Sequence, residues 1–115
     1  MKGRVIQESE FDSLLVDSVD EALTDVLGMK FTDKFFTLLE TELQISKPEI
    51  PRRLDNFTSV LSTVFGSRAA LVVGRAIAKR FYTRLEIPFV EKDSYTLLNY
   101  GTEAKSIMSK QGQIE

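Results

Sequence analysis

Residues 54–86 read LDNFTSVLSTVFGSRAALVVGRAIAKRFYTRLE, and this stretch decides the fold. Leu54, Phe57, Val60, Leu61, Val64 and Phe65 recur at helical spacing, one face of a helix rather than the alternation of a strand. Gly66 ends that helix, and Ser67 is placed to cap another over about 68–86. The second is apolar around most of its circumference: Ala69 to Val73, Ala76 to Ala78, Phe81, Tyr82 and Leu85. Such a helix belongs in the middle of a domain. Gly74 inside it costs about 1 kcal/mol of helix propensity relative to Ala, so its place there predicts close packing by a neighbouring helix.

The flanking sequence continues the helical period. Phe11, Leu14, Leu15, Val19, Ala22, Leu23, Val26 and Leu27 form a stripe over about 9–27, with Ser9 as N-cap and Gly28 in the left-handed position after the last turn. Thr32 as N-cap, with Phe31 and Phe36 in hydrophobic-staple positions, predicts the next helix. Phe35, Phe36, Leu38, Leu39, Leu43 and Ile45 supply its buried side. Pro48 and Pro51 then break it and push Lys47 and Ile50 toward extended conformations. Towards the C-terminus, Ile87-Pro88-Phe89-Val90 reads as extended, opposite Arg4-Val5-Ile6 in a short two-strand ribbon. Leu97, Leu98, Ala104, Ile107 and Met108 mark a fifth helix over about 94–108. The expectation is an all-α fold: one compact domain over 1–108, a bundle of four to five helices, with 109–115 a flexible polar tail.

Composition narrows the chemistry. The chain has 115 residues, 43% of them hydrophobic and 28% charged, the balance of a globular domain. It contains no His and no Cys, which excludes Cys/His zinc sites, thiol nucleophiles, disulfides and the Ser-His-Asp relay. No apolar run reaches the ~18 residues of a membrane span. The N-terminal basic residues precede no apolar stretch, so no signal peptide is read there. A cytoplasmic protein with no cofactor and no membrane partner is expected.

The net charge of −2 conceals a strong asymmetry. Residues 1–45 carry ten acids against four bases, and residues 46–90 carry eight bases against three acids. On the fourth helix Arg68, Arg75 and Lys79 fall within about 40° of one another, and Arg80 and Arg84 form an adjoining i, i+4 pair. These five are the candidate partner- or nucleic-acid-binding residues, a ridge suited to phosphates. The same ridge can instead be a solvated face, or pair with the acidic first helix. Against nucleic acid, Ala69 to Val73 reads as core where a recognition helix needs exposed polar residues. Asp17, Asp20 and Glu21 lie close on the first helix but lack the pattern of a calcium loop, and read as an acidic solvent face. Gly66-Ser67-Arg68 reads as a helix cap, and no phosphate-cradling glycine motif occurs. The Phe-rich faces read as core, with surplus apolar surface left to meet a second copy.

The ordered combination Ile50-Pro51, Phe57, Leu61, Phe65-Gly66, Ala70, Ile77, Phe81-Tyr82 and Leu85, within residues 11–88, resembles the Nitrosopumilus output domain. That resemblance implies a small archaeal helical domain acting as a signalling output module, and carries over no catalytic residue. Residues and resemblance together point to a non-enzymatic regulatory or protein-interaction module, self-associating as a homodimer. The alternative is a small archaeal nucleic-acid-binding protein using the basic face of the fourth helix.

Overall fold

A computed structural model describes residues 5–115. They form an all-α bundle of five helices: α1 Glu8–Leu27, α2 Met29–Leu43, α3 Leu54–Phe65, α4 Ser67–Leu85 and α5 Leu97–Lys110. A 3-10 helix, Lys47–Arg53, joins α2 to α3. α4 is the central element, burying Ala70, Val73, Gly74, Ile77, Ala78, Phe81, Tyr82 and Leu85. α1 covers it with Phe11, Leu15, Val19, Ala22 and Leu23, and α3 and α5 pack on other sides. Phe11 meets Phe81 edge-on at 5.0 Å. α2 packs on α1 and reaches α3 through aromatic rings, Phe35 to Phe57 at 6.1 Å and Phe31 to Phe65 at 6.0 Å.

Several local features differ from the sequence reading. α1 begins at Glu8, with Gln7 rather than Ser9 at the N-cap. Gly28 alone turns the chain from α1 into α2, with φ +88° and an extended ψ of 157° in place of the left-handed helical pair. Thr32 therefore lies one turn inside α2 rather than at its cap; it is buried, and its hydroxyl donates to the Gly28 carbonyl at 2.9 Å. Such a back-bond to the residue four before it lets threonine sit in a helix.

The proline segment is not extended. Ser46 and Glu49 form a capping box that starts the 3-10 helix, and Pro48 falls in its first turn, where a missing N–H costs nothing. Among the described residues no ribbon joins 87–90 to the N-terminal segment; Arg4 of that expected pairing lies outside them. Ile6 forms an isolated parallel bridge with Ile114 instead. The polar tail is docked rather than loose: Ser109 and Lys110 extend α5, and the Ile6 N–H donates to the Gln113 carbonyl at 2.8 Å. Gln113 is buried. α5 starts at Leu97, capped by Thr96 and Asn99 in a reciprocal box.

Gly74 has the role its position implied. A Cβ there would lie 3.3 Å from the Leu97 backbone nitrogen, so α5 begins directly on the α4 backbone. Gly74→Val is expected to destabilise the domain by about 1–3 kcal/mol through overpacking, while exposed Val72→Ala stays within about 0.5 kcal/mol of the parent. Urea unfolding of the two variants checks the contrast, and a Gly74→Val variant as stable as the parent would contradict this helix contact.

Candidate functional site

The five basic residues of α4 do not form one free patch. The acidic face of α1 lies against the adjoining strip, where Arg80 donates through Nε to Glu21 at 3.2 Å and through Nη2 to Asp25 at 2.6 Å. Arg84 donates through Nη2 to the other Glu21 oxygen at 2.6 Å and through Nη1 to the Ser18 hydroxyl at 3.1 Å. Glu21 is thus a hub for two guanidinium groups. Arg75 is half-buried, 3.6 Å from Glu91, with its Nε shielded and without an acceptor. Arg68 and Lys79 are exposed and have no ion pair among the described residues. A shallow cleft opens beside Lys79, Arg80, Thr83 and Arg84, but the Glu21 carboxylate forms part of its wall and opposes an anion.

Two further acids of α1 are matched by bases from other elements. Lys47 reaches Asp20 at 2.7 Å, and Lys105 reaches Glu8 at 2.7 Å. Among the described residues no three Asp or Glu side chains converge as a metal site. No helix among them is long and apolar enough to cross a membrane.

Two open surfaces remain. The first is an apolar groove of about 430 Å³ between α2 and α3, walled by Leu38, Leu43, Ile45, Val60 and Val64. Leu38, Leu43 and Val64 are each more than two-fifths exposed. Phe31 adds to the groove's apolar border, resting on Phe65 while equally exposed. Sequence periodicity placed these residues on apolar stripes but carried no signal that α2 and α3 leave the stripes uncovered.

The second is a cleft of about 960 Å³ between the 88–95 connection and α5. All three tyrosines of the chain gather at its base, a cluster the sequence reading did not single out. The buried Tyr82 hydroxyl sits 2.9 Å from the Tyr100 carbonyl and 2.8 Å from Glu103 Oε1. Tyr82 and Tyr100 pack edge-on at 6.2 Å, and Tyr95 lies 5.1 Å from Tyr100. Lys92 is ion-paired to Glu103, and its main chain is pinned to the Tyr100 hydroxyl at 2.9 Å. Burial, then the Glu103 hydrogen bond, pushes the Tyr82 phenol far up. Burial pushes the Glu103 carboxyl up as well, but hydrogen bonds from Lys92 and Tyr82 outweigh it and hold the group below the ordinary carboxylate value. The hydrogen bond to Glu103 raises Lys92. At neutral pH the network is a neutral phenol, a carboxylate and an ammonium, with no group poised as a general base.

A depressed carboxyl adds stability that is complete above its unfolded pKa and is lost as pH falls through the folded one. For Glu103 the loss falls below about pH 4.3, the unperturbed glutamate value. Glu103→Gln is expected to lower stability at pH 7 and to show a shallower decline than the parent as pH falls below about 4.3. Unfolding curves across that range compare the two, and parallel declines would exclude this ion pair as a contributor. No family model, curated protein or solved structure matches this chain.

Proposed function

We propose that this chain is a non-enzymatic protein-interaction module that associates with a second copy of itself through the α2–α3 face. The observation that carries the reading is the apolar groove between those helices, with Leu38, Leu43 and Val64 exposed along it, and Phe31 exposed on the same helix pair against Phe65. Exposed apolar side chains clustered on one face favour burial against a partner. A two-fold contact buries the same patch on both copies at once. Val26 and Met29 extend the exposed apolar surface around the α1–α2 corner. The rim carries Glu42 and Arg53, opposite charges that orient a partner more than they bind it. The resemblance to a signalling output domain agrees with an interaction role.

A phosphate-binding ridge on α4 has weaker support. Arg80 and Arg84 are engaged by the carboxylates of α1, and Arg68 and Lys79 alone offer few phosphate contacts. A protein neutralising few phosphates binds nucleic acid weakly, with a shallow salt dependence.

Sedimentation and light scattering over a range of concentrations are expected to show a dimer. Leu38→Asp combined with Val64→Asp is expected to give a monomer of nearly unchanged thermal stability, because both side chains are already exposed in the isolated chain. A parent chain that stays monomeric at high concentration would overturn the self-association reading. A gel shift at low salt that Arg68→Glu with Lys79→Glu abolishes would favour the nucleic-acid reading in its place.

A further inference from the structure

The geometry points to a second binding site, independent of the α2–α3 face: the cleft along α5 accepts an extended peptide with alternating apolar side chains and a carboxylate at the Lys110 end. The cleft runs the whole helix, with its α5 wall reaching from Leu98 to Gln111. At 1.5 Å per residue that is about 20 Å, the length of about six residues of extended chain. The opposite wall is itself extended. Pro88, Val90 and Lys92 line the cleft at a period of two. Ile87, just before them, is buried, and Phe89 packs inward against Tyr82 at 5.3 Å and Tyr100 at 5.2 Å.

This segment behaves as an edge strand that has no sheet. The main-chain groups of Phe89, Val90 and Glu91 have no hydrogen-bond partner among the described residues. The free run stops at Lys92, whose N–H is taken by the Tyr100 hydroxyl. An exposed, unpaired extended segment is a template for strand addition, in which main-chain bonds give affinity and alternate side chains fill apolar pockets. Here the apolar contacts come from Pro88 and Val90 on one wall and from Leu98 and Ile107 on the other. Val90 is 62% exposed without a partner.

Charge sets the orientation and the end group. Lys92 is matched by Glu103, and Glu91 by Arg75. Lys110, in the last turn of α5, has no ion pair among the described residues and is the uncompensated charge of the cleft. An acidic residue at that end of the peptide complements it.

The probe is an acetylated hexapeptide of alternating valine and threonine ending in glutamate, added to the full chain and followed by two-dimensional amide NMR. Signals of residues 89–92 and of α5 from Leu98 to Lys110 are expected to move. Replacing the terminal glutamate by lysine is expected to weaken binding about fivefold, the effect of one exposed ion pair. Lys110→Glu should reverse that preference, and Val90→Asp, on an exposed side chain, should abolish binding while leaving the spectrum folded. No movement at any peptide concentration overturns the inference. So does movement confined to Leu38 and Val64, or binding indifferent to Val90→Asp and to the end charge. Self-association is read on the chain without peptide, so either proposal can fail alone.

Discussion

The structure depends on covering α4. Ile77, Ala78, Phe81, Tyr82 and Leu85 are entirely inaccessible on this one helix, and they face too many directions for a single partner. α1, α3 and α5 each take one side, which leaves an outer strip carrying Arg68, Val72 and Lys79 in the open. Gly74 permits the closeness of the third of these contacts, since a Cβ there would press on the Leu97 backbone at 3.3 Å. With three helices committed to α4, α2 is left to pack on α1 and to touch α3 through Phe31 and Phe35. The open α2–α3 groove is therefore a consequence of how the central helix is buried.

The same arrangement disposes of the charge asymmetry. α1 crosses α4 with Glu21 and Asp25 towards Arg80 and Arg84, so part of the acidic first half is matched by part of the basic second half within one molecule. Exposed pairs of this kind contribute about 0–1 kcal/mol each, too little to hold two helices together. Their effect is on orientation: sliding α1 along α4 would strand both guanidinium groups beside apolar surface. The apolar seam around Phe11, Val19 and Phe81 supplies the stability, and the ion pairs select its register.

How far the sequence was legible follows from what each element depends on. α3 reads correctly to the residue, and α4 within one, because a strong apolar period meets Gly66 between them. The beginning of α2 was misplaced because Thr32 stands between two Phe residues at staple spacing, a pattern that its hydrogen bond to Gly28 makes irrelevant. The Ser46–Glu49 box has its spacing in the sequence, but the two prolines of that segment read as a break. Neither open surface was legible. A helical stripe reports which residues are apolar and says nothing about whether another helix arrives to cover them, as Leu38, Leu43 and Val64 show. Tyr82, Tyr95, Tyr100 and Glu103 come together through the turn after α4, a long-range event with no local period.

The two open surfaces differ in the kind of partner they suit. A groove between two helices, floored by branched aliphatic side chains, complements another helix face. A cleft between one helix and an extended segment complements a strand. In the second case the two walls are unequally supported. α5 is capped by Thr96 at one end, packed on α4 along its length and tied at the other end, where Ile6 exchanges main-chain bonds with Gln113 and Glu115 of the docked tail. The facing segment from Phe89 to Glu91 has side-chain anchors but no main-chain partner among the described residues. Ordering costs on binding scale with the groups that must be immobilised, so in the proposed peptide complex they fall on this short segment and on the peptide, while α5 provides a preformed wall. The tyrosine network then has a structural purpose: by fixing Phe89 and Lys92 from beneath, it presents Val90 between two anchored neighbours.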